Sequence, residues 1–128
     1  MMKTQMANEL VSTDSLNDLR ARLRQFTAER HWEQFHTPKN LASALIVEAA
    51  ELLEPFQWLS SGRADELGAE KLQAVRHEMA DVMAYLIMLA EQLNIDLIAA
   101  TNEKIQLNAL KYPSDIVRGD ARKYDEYK

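Results

Sequence analysis

Two pairs of acidic residues could form a reactive centre, because each pair interrupts an otherwise apolar run. Glu48 and Glu51 lie in the segment LIVEAAELLEPF, and Glu78 and Asp81 lie in VRHEMADVMAYLIMLA. Residues three apart share one face of a helix, with Cβ atoms about 5–6 Å apart, so each pair directs two carboxylates at one place. Carboxylates that converge in an apolar setting repel one another unless a cation lies between them. The spacing therefore predicts a cation site between two facing helices.

The ligands of this predicted site are carboxylates only. Such oxygen ligands suit the hard ion Mg²⁺, with Mn²⁺ as a possible substitute, better than zinc, which prefers His and Cys. A bound Mg²⁺ keeps positions for water and phosphate oxygens and lowers the pKa of a bound water. Phosphoryl transfer depends on positioning and charge stabilisation more than on a protein nucleophile. We therefore expect a nucleoside polyphosphate or a similar anhydride as the substrate.

Cationic and polar side chains follow on a later predicted helix. Lys104, Asn108 and Lys111 are spaced by four and three residues, and Tyr112 comes directly after them. One helix face would then present two ammonium groups, an amide and a phenol to an anionic substrate. The alternative is an ordinary solvated helix face, which this pattern taken alone favours.

Two tryptophans, Trp32 and Trp58, each lie beside a predicted helix end. Either ring could stack on a nucleotide base. A lone tryptophan more often packs in a core or an interface, because its large apolar surface favours burial.

Two other interpretations of the acidic residues remain open. The acids could be surface charges or ion pairs with arginines such as Arg76. Glu33 and His36 form one Glu-x-x-His, and di-iron bundles use two such motifs on helices. Here there is a single motif, and Thr37-Pro38 follows it at once, so the di-iron interpretation is the weaker one.

Composition limits the class of protein. A chain of 128 residues corresponds to one domain with its own core. The net charge of −5 argues against a broad surface for polymeric nucleic acid. The chain has no cysteine, and its longest apolar run, from Val82 to Ala90, is far shorter than the roughly 20 residues that span a bilayer. We expect a soluble, cytoplasmic protein with no membrane partner.

The pattern of helix signals predicts an all-α fold. Only three glycines and three prolines interrupt the chain, and no Asn-Gly or Asp-Gly hairpin turn is present. Four helices are expected, and their predicted bounds are about 13 to 30, 38 to 58, 65–70 to 93, and 97 to 111. Thr13 or Asp14, Thr37 and Asp96 are the expected N-caps of the first, second and fourth helices. Pro55 should bend or break the second helix.

The predicted organisation has three parts: a flexible lead-in at residues 1–12, a helical domain at 13–113 and a polar tail at 114–128. The second and third helices are apolar on more than one face, with almost no polar side between residues 82 and 90. A helix on the surface of a small monomer needs one apolar stripe only. We therefore expect a four-helix bundle-like protomer that forms a homo-oligomer through these helices.

Taken together, these motifs resemble the all-α nucleotide pyrophosphohydrolases of the MazG-like superfamily, and most of all their dCTP pyrophosphatase branch. The resemblance rests on the two acid pairs, some thirty residues apart, and on the Lys/Asn/Lys-Tyr-Pro ending at 104–113. Supporting segments are FTAERHWEQFHTPKNL, FQW and RGDARKY, so the similarity covers about residues 16–124. The linker between residues 62 and 68 carries little of it.

This resemblance implies Mg²⁺-dependent hydrolysis of a nucleoside triphosphate to the monophosphate and pyrophosphate, by a helical dimer or dimer of dimers. It assigns the metal to Glu48, Glu51, Glu78 and Asp81. It places phosphate or sugar near Lys104, Asn108 and Tyr112, with Lys111 at a position where arginine is common. It also implies that Trp32 and Trp58 enclose the nucleotide base and that Tyr85 lies beside the sugar.

The resulting hypothesis is that an activated water attacks the α-phosphorus and that pyrophosphate leaves. Glu51 or Glu54 would act as the general base that accepts a proton from this water. The expected substrate is dCTP or a modified dCTP, as in removal of unwanted nucleotides from the pool. The alternatives are the same fold acting on dUTP or other non-canonical nucleotides, and a non-catalytic helical module that binds a partner.

Overall fold

The computed structural model describes residues 15–122 and residue 126, and these residues form helices without any strand. The all-α prediction is confirmed. The helices, numbered in chain order, are α1 (Leu16–Glu29), α2 (Pro38–Leu53), α3 (Ala64–Gln92), α4 (Leu97–Lys111) and α5 (Ser114–Val117), with 3-10 turns at Glu33–Phe35 and Glu54–Phe56.

The chain divides into two compact units, Met1–Asn94 and Ile95–Lys128. In the first unit, α2 packs chiefly against α3, and α1 also contacts α3. The predicted three-part organisation stays a prediction, and its lead-in at residues 1–12 lies outside the described residues.

Helix α1 begins at Leu16 because Ser15 caps it: the Ser15 hydroxyl oxygen accepts a hydrogen bond of 3.0 Å from the backbone N–H of Asp18. The prediction of Thr13 or Asp14 as the cap was therefore wrong by one or two residues, and those two residues lie outside the described part. Arg24 and Glu91 form an ion pair that joins α1 to α3.

Helix α2 begins as predicted. Thr37 caps it through a 3.2 Å bond from the N–H of Asn40, and Pro38 occupies the first helical position. Its predicted end at Trp58 was wrong, because the helix stops at Leu53. Pro55 has no N–H to donate to the carbonyl of Glu51, and the N–H of Glu54 donates to that carbonyl instead. The chain tightens there into the 3-10 turn Glu54–Phe56.

Helix α3 contains a break at its start. Gly68 has φ 76° and ψ 167°, so the turn Ala64–Leu67 is separated from the long regular part of the helix. This regular part starts within the predicted range. At the other end Asn94 has φ 53°, a left-handed conformation that asparagine tolerates, which confirms it as the C-terminal signal.

The second unit contains α4 and α5. The carboxylate of Asp96 caps α4 by accepting a 3.0 Å bond from the N–H of Ala99, as predicted. The helix ends at Lys111, also as predicted, and the short helix α5 follows Pro113 within the segment predicted as a tail.

The buried apolar side chains of the described chain lie in the first unit. Leu41 on α2 is 1% exposed and Ile87 on α3 is 2% exposed, and Leu67, Val75 and Ala90 are also buried. Because these side chains come mainly from α2 and α3, the core fixes the two helices that carry the acid pairs. Within the described residues, no single helix is long and apolar enough to cross a membrane, although α3 and α4 meet the length and composition requirement as a pair.

Candidate metal centre

The acid pairs lie on the two helices that pack most extensively together. Glu48 and Glu51 are in the last two turns of α2, and Glu78 and Asp81 are in the middle of α3. Leu41, Val75 and Ile87 are buried on the same two helices. The apolar contact between α2 and α3 therefore sets the distance between the two pairs, as the sequence predicted.

Three of the four acids form a tight cluster, which we call the acid trio: Glu48, Glu78 and Asp81. One carboxylate oxygen from each lies within 4.8 Å of the others. Glu51 is not part of this trio, but its carboxyl group acts on both Glu48 and Glu78. The structure thus brings the predicted residues together, with Glu51 beside the trio rather than within it.

Two oxygens of the acid trio have no hydrogen-bond donor. Glu48 Oε2 and Glu78 Oε2 are shielded from solvent and unpartnered among the described residues. A buried carboxylate oxygen without a donor is costly, since it has lost water and gained nothing in return. Asp81 is exposed and opens the trio to solvent. The arrangement leaves two buried oxygens that a cation would satisfy and an open side through which it could enter.

The electrostatics of the acid trio also favour a bound cation. Desolvation raises the pKa of Glu48 to about 7, and the nearby carboxyl groups of Glu51, Asp81 and Glu78 raise it further. Desolvation also raises the pKa of Glu78, with the neighbouring carboxyl group of Glu51 as the next cause. Both shifts mean that the negative charge is poorly compensated by the protein itself.

The ion-pair interpretation of these acids has no support in the described part of the chain. The ion pairs found there are Arg24–Glu91, Arg30–Glu29 and Arg122–Asp120. Arg76, the expected partner, donates a 3.0 Å bond to the side-chain oxygen of Gln73 instead.

The di-iron interpretation also lacks support. Glu33 is exposed and His36 half-buried around a 3-10 turn that ends before α2. Neither residue belongs to a group of potential ligands within the described residues, where only the acid trio forms one.

Trp32 is held by the C-terminus of α1. The N–H of Trp32 donates to the carbonyl of Thr27 at 3.1 Å, and that of His31 donates to Ala28 at 3.1 Å, which is a Schellman motif. His31 occupies the left-handed position of this motif, with φ 54°. The rings of Phe26 and Trp32 pack edge to face, with their centroids 5.8 Å apart. These contacts hold Trp32 in place, and 44% of its surface remains exposed.

Trp58 is far more exposed, at 87%, in the connection between α2 and α3. Tyr85 is half-buried on α3, one helical turn after Asp81. Neither tryptophan packs in the core of the described chain, so the core-packing alternative does not hold for them within one chain.

The predicted cationic face lies in the second unit. Lys104, Asn108 and Lys111 are exposed along one side of α4. Tyr112 is half-buried, and its N–H donates to the carbonyl of Asn108 at 2.8 Å.

One polar contact was not anticipated from the sequence. Glu66 bonds to the loop that follows Trp58, through Ser60 and Ser61. A glutamate at the third position of a helix is the residue that closes a capping box, and this was the available signal. The N-cap here is Arg63, which has no side-chain cap bond, so the usual pattern was incomplete.

Comparison with known proteins identifies the class to which this fold and site belong. A model of the MazG-like family matches residues 44–126, a range that includes the acid trio and α4. The chain belongs to the MazG-like family.

Individual relatives extend the match over most of the chain. The dCTP pyrophosphatase 1 of Homo sapiens is 40% identical over 114 residues, which are 88% of this chain and 67% of the relative. That of Rattus norvegicus is 41% identical over 117 residues, with the same two coverages. The crystal structure of a pyrophosphatase from Archaeoglobus fulgidus superposes with a TM-score of 0.71 at 42% identity, over 76% of this chain and 91% of the other.

Proposed function

We propose that this protein is a Mg²⁺-dependent nucleoside triphosphate pyrophosphohydrolase that converts dCTP or a modified dCTP to the monophosphate and pyrophosphate. The observation that carries the proposal is the acid trio, with two shielded carboxylate oxygens that have no donor among the described residues. The family and the relatives named dCTP pyrophosphatase 1 supply the reaction and the substrate class.

The residues of the trio suit a hard divalent ion. All three donors are carboxylate oxygens, which Mg²⁺ and Mn²⁺ accept and which zinc sites seldom use alone. Oxygens bound to one Mg²⁺ at about 2.1 Å lie up to about 4.2 Å apart, so the separations within 4.8 Å need only small side-chain adjustments. Glu48, Glu78 and Asp81 are therefore the proposed ligands, with Glu51 as a further ligand or a neighbour.

A bound Mg²⁺ would neutralise phosphate charge and lower the pKa of a water molecule. The protein's own contribution is to hold the substrate and to accept a proton from the water that attacks the α-phosphorus. Glu51 is the better candidate for this proton acceptor, since its carboxyl group already interacts with Glu48 and Glu78. Glu54 is exposed in the 3-10 turn that follows α2.

The nucleoside part of the substrate is assigned to aromatic side chains. Trp32 and Trp58 expose ring surface on which a base can stack, and Tyr85 follows Asp81 by one turn. The phosphate groups are assigned to Lys104, Asn108, Lys111 and Tyr112, whose ammonium, amide and phenol groups all bind phosphate oxygens.

The proposed assembly is a homo-oligomer, a dimer or a dimer of dimers. Large apolar side chains on α2 and α3 remain exposed in the single chain, among them Ile46 at 69%, Leu53 at 63% and Met79 at 57%. Several large apolar side chains left exposed on two packed helices favour an interaction surface on those helices. Sedimentation showing a stable monomer at micromolar concentration would rule out this part of the proposal.

The test is a panel of deoxynucleoside and nucleoside triphosphates, each with Mg²⁺ and with product identification by phosphorus NMR. The proposal expects dCMP and pyrophosphate from dCTP, and no release of orthophosphate as the first product. Preference for dUTP or another base would keep the reaction and change the substrate. Absence of pyrophosphate release from every triphosphate would leave the non-catalytic interaction module as the better account.

A further inference from the structure

The connection between α2 and α3 presents its tryptophan on a short, irregular backbone. Helix α2 ends at Leu53, the 3-10 turn Glu54–Phe56 follows, and Trp58 lies two residues later with 87% of its surface exposed. A side chain with so little packing cannot fix its own backbone. Whatever holds Trp58 in place must therefore act on the residues around it.

A single carboxylate, that of Glu66, accepts several hydrogen bonds from the segment just after Trp58. Glu66 accepts hydrogen bonds from the N–H of Ser60 at 2.5 Å and from the hydroxyl of Ser61 at 3.1 Å. The N–H of Ser61 lies 3.4 Å from both Glu66 oxygens. Partial desolvation tends to raise the pKa of Glu66, but these donors and the N–H of Gly62 outweigh it, so the pKa is lowered. The carboxylate is thus charged and well supplied with donors.

The backbone at Glu66 is itself held in a closed turn. The N–H groups of Glu66 and Leu67 both donate to the carbonyl of Arg63 at 2.9 Å, which closes the turn Ala64–Leu67. The side chain of Leu67 is buried at 9% exposure. Because Gly68 breaks the helix directly afterwards, this turn is anchored by one apolar side chain and directs the carboxylate of Glu66 back toward the loop.

The other side of Trp58 is also constrained. Gly62 has φ +73°, and a Cβ at this position would lie 2.5 Å from Cδ1 of the Phe56 ring, so the loop folds closely over that ring. The N–H of Leu59 donates to the carbonyl of Phe56 at 2.9 Å. Trp58 therefore lies inside the turn of residues 56–59, which is followed directly by the segment that Glu66 holds.

We propose that Glu66 is a positioning residue for Trp58: its bonds to Ser60 and Ser61 hold the Trp58 backbone in one conformation, so that the indole forms a pre-positioned wall for the nucleotide base. This inference rests on the proposed function, in which Trp58 contacts the base. A pre-positioned wall lowers the entropy lost on binding. Glu66 should therefore affect nucleotide affinity and base discrimination, and leave the chemical step unchanged.

The first experiment measures the mobility of Trp58 without any nucleotide. The chain has two tryptophans, so Trp32→Phe leaves Trp58 as the sole indole, and time-resolved fluorescence anisotropy reports its local rotation. Glu66→Ala should increase that rotation, and Glu66→Gln, which replaces one accepting oxygen by an NH₂ group, should do so to a smaller extent. Asp65→Asn is the matched control, because Asp65 is the neighbouring exposed acid and no bond from it to the loop is found in the described chain.

Unchanged rotation of Trp58 in the Glu66 variants would overturn the inference. Circular dichroism at 222 nm establishes that each variant is folded. If Glu66→Ala does not fold, Glu66→Gln and Ser61→Ala decide the same question, since each removes only part of the hydrogen bonding.

The second experiment measures steady-state kinetics in the otherwise unaltered chain. Glu66→Gln should raise KM for dCTP by about three- to tenfold, the effect of losing one or two hydrogen bonds, with kcat within about twofold. It should also reduce the kcat/KM preference for dCTP over dUTP and dTTP, while Asp65→Asn keeps the original values. A fall in kcat with KM unchanged, or no change at all, would contradict the positioning role. If the unaltered protein hydrolyses no triphosphate, the proposed function fails, whereas the anisotropy result still decides whether Glu66 fixes Trp58.

Discussion

The acid trio and the Glu66 loop use the same functional group in opposite ways. Glu48 and Glu78 each have an oxygen that is shielded and lacks a donor, and the pKa of each is raised. Glu66 accepts bonds from Ser60 and Ser61, and its pKa is lowered. Glu48 and Glu78 combine desolvation with a lack of donors, whereas donors outweigh the desolvation of Glu66, so the charge of Glu66 is compensated by the protein and that of the acid trio is not.

The largest effect is expected from neutralising the trio. Glu48→Gln and Asp81→Asn should each reduce kcat/KM for dCTP with Mg²⁺ by about 100-fold or more, because each removes a charged ligand of the proposed ion. The matched control is Asp65→Asn, an exposed acid outside the trio, which should retain full activity. Activity within about tenfold of the original in both trio variants, equivalent to roughly 1.4 kcal/mol of barrier, would exclude the ligand role.

Glu51 lies beside the acid trio without belonging to it. If it accepts the proton, Glu51→Gln should lower kcat by about 10²–10⁴-fold, the usual contribution of a general base, and leave Mg²⁺ affinity nearly unchanged. Titration calorimetry measures the affinity and steady-state assays measure kcat. A loss of Mg²⁺ affinity as large as that of Glu48→Gln would instead make Glu51 a ligand.

The metal-free protein should lose stability as pH rises. The pKa of Glu48 is about 7 in the folded chain, against 4.5 for an unperturbed glutamate. Between these values the folded state binds more protons than the unfolded state, so stability falls with increasing pH. Thermal unfolding in EDTA should therefore give a higher Tm at pH 5.5 than at pH 8. Mg²⁺ should raise Tm more at pH 8 than at pH 5.5, because the ion competes with protons for the same oxygens.

Glu48→Gln, although damaging to activity, should raise the Tm of the metal-free protein at pH 8. It removes one of the mutually repelling charges while keeping the side-chain volume. An unchanged or lower Tm at pH 8, together with a Tm of the unaltered protein that does not depend on pH, would show that the charge of the trio is already compensated.

The smallest effect concerns a third kind of carboxylate, one paired with the protein's own cation. Glu91 forms an ion pair with the guanidinium group of Arg24, whose side chain is 61% exposed. Because exposed ion pairs contribute little, Glu91→Gln should reduce the free energy of unfolding by less than about 1 kcal/mol, with activity unchanged. Urea unfolding measures this, and a loss several times larger would mean that the pair anchors α1 to α3 more strongly than its exposure indicates.

The sequence predicted those features that follow from short, regular patterns. Thr37-Pro38 and Asp96 identified helix starts, and the i,i+3 acids in apolar runs identified the facing pairs, because capping and periodicity act locally. The early end of α2 was missed, although Pro55 was recognised as a disruption. How far the helix unwinds depends on the 3-10 bonds that replace the lost one, and the sequence does not specify these.

The sequence predicted that acids of α2 and α3 would lie close together, but not which of them form the acid trio. Spacing alone treats Glu51 and Glu48 as equivalent, and only side-chain conformation separates the trio from its neighbour. Glu66 was not predictable as a contact of the Trp58 loop, since its position depends on two left-handed glycines, Gly62 and Gly68, whose conformations no periodic pattern encodes.

Whether the acid trio binds a divalent metal is measured by titrating Mn²⁺ into the protein and following the free aqueous ion by electron paramagnetic resonance. The unaltered chain is expected to deplete the free Mn²⁺ signal, and Mg²⁺ is expected to restore it by competition. Glu48→Gln combined with Asp81→Asn should abolish the depletion while the fold is retained. Equal depletion by the double variant and by the unaltered protein would contradict the claim that the acid trio is the metal centre.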